Sequence, residues 1–281
     1  MYFYTMQVLK QLLNFYINSS IHVALAVYAL TYLTLIEFGI LYDASVLYFV
    51  FFASITGYNF VKYFGLAKFH HRSLAGWLKA IQVFSLICFI LMCYYLLRLP
   101  TKTLIYISVF GMVTFFYAMP LLPKRIFIDK KHNLRSIGGL KVYVIALVWC
   151  GVTVFLPVFS NELPIRTDVV ITAFQRFVFV VVLMLPFEIR DLKFDSLKLS
   201  TIPQKIGIKL TKIIGSSLLL ILFLLELFKD EITLNGIASI GLTLVVTVFL
   251  LLFSKVNQNK YYSAFWVEGV PILWLLLRLF F

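Results

Sequence analysis

Charged side chains are scarce in this chain, at 13% of 281 residues, and only 12 of those are acidic. With 62% hydrophobic residues and a mean hydropathy of +0.97, too little polar surface remains to coat a soluble globule. Cysteine is also rare: Cys88, Cys93 and Cys150 sit in apolar runs without metal-ligand spacing, which reads as packing and excludes a disulfide or zinc scaffold. No repeat, Gly/Ser linker or low-complexity tract divides the chain, so residues 1–281 read as one domain. The start, "MYFYTMQVLKQLLNFY", has no basic region before its apolar part and no small-residue cleavage site. It reads as an interfacial helix rather than a removable signal.

What the chain does have is long apolar runs. Polar breaks divide it into nine stretches near the length of about 20 residues that a helical span needs, at 17–40, 44–65, 76–97, 101–120, 138–160, 168–187, 211–229, 234–253 and 262–281. Strand alternation is absent, so helices must satisfy the backbone in lipid. The expected class is an all-α polytopic membrane protein with nine transmembrane helices.

The formal charge of +13 raises the question of a nucleic-acid partner, and its distribution answers it. The N-terminus and the loops after spans two, four, six and eight hold one, four, six, six and two basic residues, 19 of the 25. The opposite side keeps Arg98, Lys102, Arg166, Arg176, Lys229 and Arg278. This is the positive-inside pattern of a multi-pass protein, with the N-terminus cytoplasmic, the C-terminus outside and the cytoplasmic membrane as the expected location. Lipid, not nucleic acid, is the partner it implies.

The most informative stretch is "PFEIRDLKFD", residues 186–195, where Glu188, Asp191 and Asp195 leave the sixth span on its basic side. If the helix continues to residue 198, an advance of about 100° per residue places the three acids within an arc of about 60°. Arg190 and Lys193 then point away from them. Two carboxylates about 6 Å apart repel by roughly 3 kcal/mol at an effective dielectric of about 20, which a divalent cation relieves. Water-accessible oxygen ligands suit Mg²⁺, which binds one or two carboxylates together with substrate phosphate. The alternative is a solvated helix end of mixed charge.

The longer segment "EIRDLKFDSLKLSTIPQKIG", residues 188–207, resembles the second Asp-rich motif of the UbiA superfamily of membrane prenyltransferases through Glu188, Arg190, Asp191, Asp195, Thr201, Pro203 and Gly207. Nine expected helices, with this motif after the sixth, fit that resemblance, and "YAMPLLPKR" looks like the family's Tyr followed by Lys-Arg, giving Tyr117, Lys124 and Arg125. The resemblance implies transfer of a prenyl chain from a prenyl diphosphate to an apolar aromatic or lipid-like acceptor. It implies Mg²⁺ at Glu188, Asp191 and Asp195, and diphosphate contacts from Lys124, Arg125 and Arg190. The first acidic motif of the family departs here: in "NFVKYFGLA" Asn59 is kept, but Phe60, Tyr63 and Ala67 stand where acids are expected. Lys62, new within this stretch, is either a point charge for phosphate beside Asn59 or a positive-inside lysine at a helix end. Two readings therefore stand side by side, an Mg²⁺-dependent prenyltransferase with a degraded first motif and a non-catalytic lipid- or partner-binding relative.

Outside these motifs, Arg176 and Glu226 fall at similar depths near the outer side and are expected to form an ion pair, with snorkelling as the alternative. Glu268 lies inside the ninth span beside Gly269 and Pro271, facing either a reaction chamber with Tyr117 or a freed amide. His22 reads as a packing histidine. His70, His71 and Arg72 suit lipid head groups, and Asn133, Arg135 and Lys141 are weaker diphosphate candidates.

Overall fold

The computed structural model describes residues 2–63, 76–118, 139–193 and 200–281, without the side chains of 2–5 and 117–118. Lys124, Arg125, Asp195, Ala67, His70, His71, Arg72, Asn133 and Arg135 lie outside the described residues, as does the side chain of Tyr117. The secondary-structure elements of the described residues are all helices: α1 Tyr2–Asn18, α2 Ile21–Glu37, α3 Ala44–Tyr63, α4 Gly76–Leu96, α5 Thr101–Ala118, α6 Leu140–Ser160, α7 Thr167–Asp191, α8 Ile202–Glu226, α9 Leu234–Phe253 and α10 Tyr262–Phe280. Seven of these, α3, α4 and α6 to α10, are each long and apolar enough to cross a membrane. The bent pair of α1 and α2, which meet at 55°, makes an eighth candidate, and the described part of α5 is a shorter apolar helix. The chain is a multi-pass helical membrane protein.

Sequence neighbours pair along the bundle, α2 with α3, α3 with α4, α7 with α8, α8 with α9 and α9 with α10, and α10 returns to pack on α2. Helix α7 is the most buried, packed by α6, α8 and α9, and its Phe179, Val180, Val182 and Ile189 are at the centre of the core. Rows of exposed leucine, isoleucine and phenylalanine on the outer faces of α4, α8 and α9 are what a lipid-facing surface requires.

Three local breaks shape the inside. Residues Gly151–Phe155 of α6 and Tyr262–Val267 of α10 are π-helical turns, the widened turns that often mark functional positions. Gly151 is needed where it stands: a Cβ there would lie 2.2 Å from the Phe110 ring of α5. Gly151→Ala is expected to destabilise the protein by about 1–3 kcal/mol through overpacking. The readout is a lowered melting temperature in detergent, recovered when Phe110→Leu is added.

The third break is at Gly207 in α8, whose φ of +80° is open to glycine at little cost. The helix begins at Ile202, nine residues before the expected seventh span, because "TIPQ" is a helix start: Thr201 precedes the first turn, its N–H donates to Gln204 Oε1 at 3.0 Å, and Pro203 sits in the first turn.

Candidate functional site

A cavity of about 960 Å³ opens between α3, α5, α6, α7 and the π turn of α10. Its walls are mostly apolar, with Phe49, Val50, Phe110, Trp149, Val180 and Leu183 among them. Trp149 Nε1 donates to Tyr58 Oη at 2.7 Å, fixing two of the lining aromatics relative to each other. The charges are few and come from four elements: Lys62 on α3, Lys141 on α6, Arg190 on α7 and Glu268 after the π turn. Glu268 is within electrostatic reach of Lys62 and Arg190, and among the described residues it forms no ion pair within 4 Å.

Lys62 is held from the side of the α1–α2 bend. Its Nζ donates to Ser20 Oγ at 2.8 Å, and Ser20 donates to Asn59 Oδ1 at 2.8 Å. The Asn59 amide donates to Ser19 O at 3.0 Å and to Ser85 Oγ at 2.8 Å. Asn59, expected at the diphosphate, is buried and has its carboxamide committed to joining α1, α2, α3 and α4. Ser20 carries a φ of +64°, a left-handed conformation that costs a non-glycine residue energy. The surrounding bonds to Asn59 and Lys62 hold it there.

Helix α7 carries Glu188 and Asp191 and ends at Asp191, with a turn at 192–193; Asp195, the third member of the expected acidic face, lies outside the described residues. Glu188 is 2% exposed, and its Oε2 accepts the Ile202 N–H at 3.2 Å, satisfying an otherwise open donor at the start of α8. Asp191 meets Arg190, which the helical projection turns away from it, and Lys141 of α6: Arg190 Nε donates to its Oδ1 at 2.7 Å, and Lys141 Nζ lies 3.9 Å from its Oδ2. For Mg²⁺ the described donors do not make a cage. Glu188 serves a backbone amide and Asp191 serves two cations, and Phe60 and Tyr63 offer no carboxylate. Among the described residues no three His, Cys, Asp or Glu side chains gather as a metal site.

On the other side of the bundle, the expected Arg176–Glu226 pair is replaced by other partners. Arg176, 2% exposed, donates from Nη1 to the Leu30 carbonyl at 2.9 Å and lies 5.2 Å from the Trp274 ring centroid. Glu226 instead meets Lys229 Nζ at 2.6 Å and Gln175 Nε2 at 3.0 Å, and Lys229 also meets Glu37 at 2.6 Å. Depth along a helix was legible in the sequence, but the direction each side chain takes around it was not. His22 is a satisfied packing residue: Nε2 donates to Phe265 O at 2.9 Å, and Nδ1 accepts from Tyr16 at 2.8 Å. Lys141, a weaker diphosphate candidate than Lys124 and Arg125 by sequence, lines the cavity. Trp149 and Tyr58 carried no signal beyond their aromatic character.

The chain matches no protein-family model and no curated protein. Its fold does match a solved structure described as that of digeranylgeranylglyceryl phosphate synthase in membranes, with a TM-score of 0.55, 15% identity, and coverage of 96% of this chain and 98% of that one. At that identity the likeness shows the fold alone.

Proposed function

We propose that this chain binds a prenyl diphosphate, with the isoprenoid tail in the cavity and the diphosphate at Lys62, Lys141 and Arg190, and that it transfers the prenyl group to an apolar acceptor. One observation carries this reading: the three cations converge on a single apolar cavity of about 960 Å³, near the upper end of the roughly 300–1,000 Å³ usual for small-molecule sites. All three belong to the basic side of the sequence pattern, on which a soluble diphosphate would arrive from the cytoplasm.

The chemistry follows from the lining. Breaking the allylic C–O bond gathers negative charge on the departing diphosphate, which preorganised N–H donors in a water-poor site stabilise. The chain carbon becomes cationic, and the faces of Tyr58, Phe110 and Phe187 around the cavity suit it better than water would. The acceptor's electron pair then forms the new bond, and its proton leaves for a base.

The second reading, binding without transfer, is favoured by Phe60 and Tyr63 at expected acid positions. Purified protein in nanodiscs, given labelled prenyl diphosphates of increasing length with a lipid extract as acceptor, separates the two. Saturable binding with formation of an extractable prenylated product is the expected result. Binding without product leaves the second reading, and no saturable binding removes both.

A further inference from the structure

Every described carboxylate of the second acidic motif is already used by the protein, while the cations beside them face the cavity. Glu188 accepts the first amide of α8, and Asp191 sits between Arg190 and Lys141. At the first motif the acids are replaced, and the charged residue within that stretch that lines the cavity is Lys62. Its ammonium is tied to Ser20, and through Ser20 to the buried Asn59 clamp, which a freely solvated lysine at a helix end would not be.

We infer that the chain holds the anionic end of its ligand directly with Lys62, Lys141 and Arg190, without a divalent metal. The inference rests on the prenyl diphosphate reading and deepens it. The donor count is sufficient: an ammonium has three N–H groups, of which Ser20 takes one from Lys62. A guanidinium has five, and Asp191 takes the Nε–H of Arg190, leaving the terminal fork for phosphate oxygens. Asp191 is then a positioning residue that orients two cations, not a metal ligand. Of the charged residues that line the cavity three are cations and one, Glu268, is acidic, so an anion entering there meets a positively charged lining.

The metal and cation readings assign opposite signs to Asp191. As a metal ligand its neutralisation removes binding, whereas as a counter-ion its neutralisation adds a positive charge at the mouth. The test is equilibrium binding of labelled geranyl, farnesyl and geranylgeranyl diphosphates to the full chain in nanodiscs, in excess EDTA and in excess Mg²⁺, for the wild type and Asp191→Asn. The expected result is a wild-type affinity in EDTA within about threefold of that in Mg²⁺, and an Asp191→Asn affinity in EDTA equal to or tighter than wild type. Rising salt should weaken both. Binding that appears only with Mg²⁺, or a loss of about tenfold or more in Asp191→Asn confined to the Mg²⁺ condition, overturns the inference and leaves the prenyl diphosphate reading standing. No binding of the wild type in either condition overturns the prenyl diphosphate reading and this inference with it. The EDTA comparison needs only the wild type, so it decides even if Asp191→Asn does not fold.

Discussion

Lys62→Met is expected to weaken prenyl diphosphate binding by about 10- to 100-fold, the equivalent of the roughly 1.5–3 kcal/mol typical of a hydrogen bond to a charged group. The reasoning rests on where Lys62 is fixed. Ser20 holds its Nζ at 2.8 Å, so little side-chain freedom is left to lose when a phosphate binds, and the site is preorganised. Methionine keeps the length and apolar stem of lysine and leaves Ser20 its bond to Asn59, so the fold should survive the change. Lys62→Arg should recover part of the affinity, because the charge returns with a different shape. Ser20→Ala should lose less than Lys62→Met, because it loosens the ammonium without removing it. Arg190→Lys gives the complementary result: a point charge replaces the fork that both holds Asp191 and faces the cavity, so affinity should fall although the net charge is unchanged. Equilibrium binding in nanodiscs measures all four, with thermal melting as the folding control. Wild-type affinity in Lys62→Met would remove Lys62 from the site.

The sequence made the helices legible and left much of their mutual arrangement hidden. Continuous apolar runs bounded by charge located α3, α4, α9 and α10 to within a few residues, because the cost of an unsatisfied backbone in lipid leaves few alternatives to helix. The start of α8 carries its own signal, since Thr201, Pro203 and Gln204 spell a helix N-terminus, but the same residues resemble a ligand-binding motif and the sequence alone does not separate the two. The partners of Glu188 and Asp191 were hidden for a different reason. Helical geometry orders side chains around one axis and is silent on what the next helix brings, and here it brings an amide from α8 and a lysine from α6. Lys62 was visible as an anomaly within the stretch, but its fixation by Ser20, 42 residues away in sequence, was not. The same limit explains Lys229, which counts as an outer-side lysine by position and is 7% exposed in the bundle.

Lys229 also defines the largest expected effect on stability. Its Nζ lies 2.6 Å from both Glu37 and Glu226, joining the C-terminal ends of α2 and α8, and Thr172 and Gln175 of α7 donate to the same two carboxylates at 2.5 and 3.0 Å. Lys229→Met removes the cation and leaves two carboxylates facing each other. Breaking a buried pair from one side typically costs about 3–5 kcal/mol, and the partial exposure of Glu37, whose side chain is 27% accessible, places the expectation near the lower end. Arg176 compensates only in part: it is within electrostatic reach of Glu37 and Glu226 but pairs with neither within 4 Å, and its guanidinium donates to the Leu30 carbonyl and lies over the Trp274 ring. The check is a melting temperature by scanning fluorimetry in detergent for Lys229→Met beside the triple variant Lys229→Met/Glu37→Gln/Glu226→Gln. The single variant should melt several degrees lower, and the triple should recover most of the loss, since removing all members of a buried ionic cluster is often close to neutral. Both glutamines can still accept from Thr172 and Gln175. Equal melting of wild type and Lys229→Met would mean that water screens the two carboxylates and that this cluster does not hold α2 to α8.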